Sequence, residues 1–263
     1  MRTADIVTVE TTLGPGRLTV SAAGAVAASA AGATSAESAA SAASSTPAKS
    51  ATPATSAEAA PSAAAAAPRP RAVLWLGHGA GGGIDAVDLA ALAAALPALG
   101  ITVIRYEQPW RVAGKRVASR PAALDTAWLE TASAVDRIAD GLPILVGGRS
   151  AGARVACRTA ASTGAAAVVC LAFPLHPPGR PDTSRLDELL TPDVPVLVLQ
   201  GERDTFGTAA TVAAETEGRP SVRVVPVPGA DHGMRLLASS PFPAAAVREL
   251  LVSQVAAFVD GVV

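Results

Sequence analysis

The stretch that most narrows what this chain can fold into is Gly147-Gly148-Arg149-Ser150-Ala151-Gly152. A short apolar segment, Pro143 to Val146, precedes it, bounded by Gly141 and ending in a β-branched residue. Ala151 to Ala161 follows, rich in Ala and Arg and free of Pro, and reads as helix. Gly-x-Ser-x-Gly between a strand and a helix is the context of a nucleophile elbow. So sharp a turn needs Gly148 and Gly152 without side chains, because strand and helix must approach closely. Ser150 is then expected at the apex, its hydroxyl facing out from the carboxyl edge of a sheet. The N–H of Ala151, in the first turn of the helix, points to where an oxyanion forms. The same letters also fit a Gly-rich turn whose serine only caps the helix.

A chain of 263 residues accommodates one α/β domain or two small ones. It is 50% hydrophobic but only 3% aromatic, so its core is aliphatic and rich in alanine. A net charge of -1 argues against a nucleic-acid footprint and a polybasic membrane anchor. No apolar run approaches the roughly 18 residues of a membrane span. Arg2, Asp5 and Glu10 near the start, with no Leu-rich core behind them, argue against a secretory signal. Cys157 and Cys170 make no disulfide framework and sit on apolar segments, so they read as small buried hydrophobes. The 3 histidines and 2 cysteines show no metal-ligand spacing, so no metal is expected. A reducing, cytoplasmic setting fits this cysteine usage.

Asp5 to Glu10 alternates apolar and polar residues, Gly14-Pro15-Gly16 marks a turn, and Arg17 to Ser21 completes an antiparallel pair. From about 22 to 70 the composition shifts to Ala, Ser, Thr, Pro and Gly, without aromatics or an apolar period. That reads as a disordered low-complexity insertion, with Pro47, Pro53, Pro61 and Pro68 stopping any nascent helix. Closing a flexible loop of about 50 residues costs roughly 3.5 kcal/mol, which a packed strand pair offsets. Strands are expected at Ala72 to Leu76, Ile101 to Tyr106, Pro143 to Val146, Ala166 to Phe173, Val194 to Leu199 and Ser221 to Val227. Helices are expected from an Asp85 N-cap through Leu99, over Ala122 to Asp140, after Ser150, near Arg185 to Leu190, and over Pro243 to Val259. Such alternation means an α/β fold, a mainly parallel sheet covered on both faces, with an antiparallel N-terminal strand pair. Right-handed crossovers then gather the β-to-α loops, where ligands bind, on one edge.

A serine nucleophile needs a base, and the candidates are His78, His176 and His232. His232 lies in Gly229-Ala230-Asp231-His232-Gly233, a loop returning to the carboxyl edge where Ser150 is expected. The base needs an acid to fix its tautomer and stabilise the imidazolium. Asp204 follows the strand ending at Gly201; Glu202 and Asp231 are rivals, the first closer to the strand, the second badly placed to reach the adjacent ring. The order Ser150, Asp204, His232 is that of α/β hydrolases, not of chymotrypsin or subtilisin. The second oxyanion donor is assigned to the N–H of Ala80, with Gly79 as the alternative, in the small-residue loop after the strand at Ala72 to Leu76. A nucleotide-binding reading of that loop lacks the Gly-Lys-Ser/Thr ending and the dinucleotide spacing.

These motifs together carry a resemblance: Gly-His-Gly-Ala-Gly-Gly-Gly (77–83), Gly-Gly-Arg-Ser-Ala-Gly (147–152), Phe-Pro-Leu-His-Pro-Pro-Gly-Arg-Pro (173–181), Gly-Glu-Arg-Asp-Thr-Phe-Gly (201–207) and Ala-Asp-His (230–232). The chain resembles the short, lidless, dienelactone-hydrolase-like branch of the α/β hydrolases. That branch also includes a testis-expressed protein and a subunit of the non-specific-lethal chromatin complex. The resemblance covers about 3–21 and 71–263 and leaves the low-complexity segment as an insertion foreign to the family. It implies an α/β-hydrolase fold with Ser150, Asp204 and His232 at the triad positions, and says little about substrate.

The expected activity is that of a serine hydrolase acting on a small carboxylic ester or related acyl substrate, without a cofactor. A non-catalytic interaction protein that keeps the fold is the alternative, and acyl transfer a third reading. Partners follow: a small-molecule acyl substrate, no nucleic acid, no membrane, and a monomer or small homo-oligomer. The Pro-stiffened loop after Phe173 implies a shallow, open site. Trp110, Phe206 and His176 are candidate substrate-binding residues on loops at the same edge, though each also suits ordinary packing. Arg111, Lys115, Arg116 and Arg120 form a basic loop that either attracts an anionic substrate or is simply solvated. Arg149, inside the elbow, is expected to contact substrate or to hold neighbouring carbonyls or a carboxylate as a strut.

Overall fold

The computed structural model describes residues 4–24, 68–180 and 182–263. Strands β1 (Asp5–Thr11), β2 (Gly14–Ser21), β3 (Ala72–Gly77), β4 (Ile101–Glu107), β5 (Ile144–Arg149), β6 (Ala167–Leu171), β7 (Val196–Gly201) and β8 (Val222–Val227) form one sheet. Their spatial order is β1-β2-β4-β3-β5-β6-β7-β8. The β1–β2 and β2–β4 ladders are antiparallel, and every other ladder is parallel. Each residue of β3, β6 and β7 is buried, as near-continuous apolar strands require when both faces are covered.

The pleat of β3 shows the two cores. Val73 and Trp75 point to one face, where they meet Leu124 and Trp128 of α3 (Pro121–Leu129), Val135 of α4 (Ala132–Ala139) and Val155 of α5 (Ala151–Thr159). Ala72, Leu74 and Leu76 point to the other, against Leu89 and Leu92 of α1 (Val87–Ala95) and Leu251 and Val255 of α8 (Ala244–Asp260). On the first face the Trp75 and Trp128 rings stack at 3.7 Å, with Tyr106 edge-on to Trp128 at 5.8 Å. Three of the chain's few aromatics, Trp75, Tyr106 and Trp128, thus meet in this core. Among the described residues no helix is long and apolar enough to cross a membrane.

Several boundaries differ from the sequence reading for identifiable reasons. The N-terminal turn falls at Thr12 and Leu13, and Gly14, Pro15 and Gly16 belong to β2. The helix expected over Ala122 to Asp140 is two helices. Thr131 takes the Trp128 carbonyl with its hydroxyl (2.7 Å), and the Glu130 carboxylate turns away to the N–H and hydroxyl of Thr12 (2.8 and 2.7 Å). Asp85 does not cap α1, which starts at Val87 without a side-chain cap; Asp85 faces Arg105 at 3.3 Å instead. Pro97 converts the end of that helix to a 3-10 turn, Leu96–Leu99. Two short helices were not anticipated: α2 (Pro109–Val112) and α7 (Ala209–Glu215), the latter capped by the Thr208 hydroxyl on Thr211 N–H at 3.1 Å. The helix near Arg185 to Leu190 is α6 (Leu186–Leu189).

Residues 25–67, most of the low-complexity stretch, lie outside the described residues. The chain positions flanking them adjoin: a Cβ built on Gly24 would meet the Pro68 carbonyl oxygen at 3.5 Å.

Candidate active site

β5 delivers the elbow. Ser150 sits between β5 and α5 with φ 53° and ψ -109°, a region that costs an L-residue about 1–3 kcal/mol. The surroundings hold it there: its N–H donates to the Leu171 carbonyl at the end of β6 (2.9 Å). The crossing behind it is tight. A Cβ on Gly148 would lie 2.5 Å from the Gly77 carbonyl oxygen, and one on Gly152 would collide with the same atom. The serine makes no capping hydrogen bond to α5, which removes the helix-cap reading.

The hydroxyl is engaged elsewhere. His232 Nε2 lies 2.9 Å from Ser150 Oγ, and His232 Nδ1 lies 2.8 Å from Asp204 Oδ2. A carboxylate at Nδ1 fixes the tautomer with its proton there, leaving Nε2 to accept the serine proton. Asp204 is fully buried at the end of β7; its Oδ1 accepts the Phe206 N–H (2.8 Å) and its Oδ2 the Gln200 side-chain amide (3.0 Å). That amide also reaches the carbonyls of Phe173 (3.1 Å) and Gly207 (2.6 Å), tying the strand ends around the aspartate. Both rival acids are occupied: Glu202 accepts the Gly229 N–H (2.8 Å), and Asp231 accepts those of Gly233 and Arg235 (2.7 and 2.9 Å).

The loop after β3 packs on the elbow, since a Cβ on Gly79 would lie 3.5 Å from that of Ser150. Among the described residues, none of the N–H groups of Gly79, Ala80 and Ala151 donates to a protein acceptor. His78 holds this loop, a role the sequence reading did not give it. Its Nε2 accepts the Gln108 N–H (3.1 Å), so Nδ1 carries the proton and donates to the Gly79 carbonyl (2.8 Å). Burial pushes its pKa below the ordinary imidazole value of 6.5, which suits a ring whose two nitrogens have one donor and one acceptor role.

Arg149 behaves as a strut. Its Nε is 3.1 Å from Asp88 Oδ2, an ionic contact rather than a well-angled hydrogen bond, and its Nη2 donates to the His232 carbonyl at 2.5 Å. Asp88 is fully buried; burial raises its carboxyl pKa, and the Arg149 charge opposes that. The guanidinium borders the cleft but is already engaged. Asp88 also escaped the sequence reading, although it is the one charge in an otherwise apolar helix, Val87–Ala95.

A cleft of about 690 Å³ opens over Ser150 and His232, floored by Gly79, Ala80 and Arg149 and flanked by Phe206, Pro178 and Arg235. Phe206 stands edge-on to the His232 ring, centroids 4.4 Å apart. His176 does not line it: its Nδ1 faces the Thr183 carbonyl at 3.1 Å. The exposed basic residues Arg111, Lys115, Arg116 and Arg120 do not line it either. Trp110 is buried beside His78 (5.4 Å) and borders a separate small cavity behind Gly79 and Ala80.

The comparisons with known proteins agree with this architecture. A lidless α/β serine hydrolase from Xanthomonas campestris is 19% identical, covers 98% of this chain and 96% of its own, and superposes with a TM-score of 0.63. An α/β serine hydrolase homologue from Coxiella burnetii is 16% identical, with coverage of 97% and 98% and a TM-score of 0.64. Esterase 2 of Thermogutta terrifontis is 14% identical, with coverage of 98% and 96% and a TM-score of 0.56. No curated protein matches the chain. At such identities the likeness speaks for the fold alone. The family is decided by a match to the profile described as alpha/beta hydrolase domain, which spans residues 70–260: the chain belongs to the alpha/beta hydrolase family.

Proposed function

We propose that this chain is a serine hydrolase that cleaves a small carboxylic ester or related acyl substrate through an acyl-enzyme. The observation that carries the reading is the unbroken run of hydrogen bonds from Ser150 through His232 to Asp204, at 2.9 and 2.8 Å. Ser150 Oγ attacks the carbonyl carbon while His232 Nε2 takes its proton, and Asp204 stabilises the imidazolium. The N–H groups of Ala80 and Ala151 receive the oxyanion; losing one such donor costs about 2.7–4 kcal/mol of transition-state stabilisation. The imidazolium then protonates the departing alkoxide. A water molecule, deprotonated by His232, attacks the acyl carbon and releases the acid and Ser150. The lidless serine hydrolase and the esterase among the structural relatives favour the same chemistry, as does the resemblance to the dienelactone-hydrolase-like branch.

Hydrolysis of p-nitrophenyl acetate tests this. Ser150→Ala is expected to lose on the order of a millionfold in kcat, down to background. A folded wild-type protein that hydrolyses no activated ester, with the variant indistinguishable from it, would return the chain to the interaction-protein reading.

A further inference from the structure

The loop after β3 has to aim an N–H group at the substrate, yet it carries almost nothing to aim it with. Gly79, Ala80, Gly81, Gly82 and Gly83 follow one another without a side chain longer than a methyl. A peptide beside glycine turns over at little steric cost, because glycine accepts either sign of φ. Within the loop the backbone bonds are long: Gly82 N–H meets the Gly79 carbonyl at 3.5 Å, and Ala86 N–H the Gly83 carbonyl at 3.4 Å. The short contact is the one from His78 Nδ1 to the Gly79 carbonyl, at 2.8 Å.

That contact comes from one definite side. His78 is 3% exposed and lines the small cavity behind the loop, together with Trp110 and Trp128, but not the cleft. Ser150 and His232 line the cleft and not that cavity. The Gly79 carbonyl is therefore drawn away from Ser150. In a planar trans peptide the C=O of one residue and the N–H of the next point in opposite directions. With the Gly79 carbonyl turned back to His78, the Ala80 N–H is turned forward to the cleft. Among the described residues it has no protein acceptor.

The imidazole is itself fixed. Its Nε2 accepts the Gln108 N–H (3.1 Å), and the Gln108 side-chain amide donates to the Leu124 carbonyl of α3 (3.1 Å). The ring lies against Trp110, centroids 5.4 Å apart. A continuous line of contacts thus runs from α3 through Gln108 and His78 to the peptide that faces Ser150.

We infer that His78 is the positioning residue of the oxyanion hole: by holding the Gly79 carbonyl behind the loop, it aims the Ala80 N–H at the carbonyl oxygen of the substrate. The inference rests on the reading of Ser150 as the nucleophile and of Ala80 as an oxyanion donor. A hole with one donor misdirected is expected to lose about 10²–10³-fold in kcat with KM little changed, as when such a donor is deleted.

The test combines p-nitrophenyl acetate kinetics with inhibition by phenylboronic acid. Ser150 Oγ adds to boron as its proton passes to His232, and an oxygen of the tetrahedral adduct takes the oxyanion position. His78→Phe keeps a ring but removes the donor, His78→Asn keeps a donor near the place of Nδ1, and His78→Gln keeps only an acceptor for the Gln108 N–H. His78→Phe is expected to lower kcat about a hundredfold with KM little changed and to weaken the boronate by the same factor. His78→Asn is expected to recover about tenfold or more of both losses. A merely structural role would lower Tm without this split between kcat and KM and without rescue by Asn. Should His78→Phe fail to fold, Asn is compared with Gln and is expected to be the more active by about tenfold. A folded His78→Phe with the kcat of wild type, or Gln equal to Asn, overturns the positioning role while Ser150-dependent hydrolysis stands. A wild type without Ser150-dependent hydrolysis overturns the nucleophile and the positioning role together.

Discussion

Ser150 is held in a backbone conformation that favours glycine, at φ 53°. Its strain is maintained by the Leu171 carbonyl and the glycine crossing behind it. Ser150→Gly should therefore stabilise the fold by about 1 kcal/mol while abolishing activity, as chemical denaturation and ester hydrolysis would read. His78 is the residue for which pH matters to stability. Its folded pKa lies below 6.5, so the unfolded chain binds the proton more readily. Stability is then complete above the unfolded value and falls as pH drops through about 6.5 towards the folded value. His78→Gln should lose less stability than wild type between about pH 7.5 and about pH 5 in urea titrations. At this scale the convergence of Ser150, His232 and Asp204 was legible because motif, strand ends and the shortage of histidines left few choices. His78, Asp88 and Gln200 were not, because their roles depend on burial and on partners such as Gln108, Arg149 and Asp204 that the one-dimensional pattern does not pair. His176 shows the opposite error, a loop histidine near the right edge that turns to its own loop.

The Asp88–Arg149 pair links three elements: α1, the end of β5 and the loop that carries His232. Arg149→Met leaves Asp88 buried without its counter-charge and frees the His232 carbonyl. A stability loss of about 3–5 kcal/mol is expected, as for a broken buried ion pair. A drop in kcat on the order of a hundredfold should accompany it, because an imidazole displaced by about 1 Å costs that much. Adding Asp88→Leu should restore much of the stability, because no uncompensated charge remains, but not kcat. Recovery of both in the double variant would make the pair a purely structural feature. Among elements, the parallel strands were readable because each is a short apolar run ended by glycine or a polar loop. The break at Glu130 and Thr131 was not, and the partner that the Glu130 carboxylate finds there, Thr12, is 118 residues away in sequence. Helix α7 is short and bounded by threonines, which gives little periodicity to read.

The whole molecule is a mainly parallel sheet between two helical layers, with the loops that carry Ser150, Asp204 and His232 gathered at one edge. Alternation of apolar strands and helices made this legible from the sequence. Gly24 and Pro68, the described residues on either side of 25–67, adjoin. Deleting 25–67 with a short Gly-Ser join should leave Tm within a few degrees of the full chain and hydrolysis unchanged; a soluble but molten product would contradict that. On the function proposed above, three distant side chains form one proton-transfer chain ending in a reactive serine. Labelling the full chain with a fluorophosphonate and mapping the adduct by peptide mass spectrometry tests it most directly. A single adduct on Ser150 is expected, formed far more slowly in His232→Ala. An adduct elsewhere, or a folded protein that never labels, would contradict it.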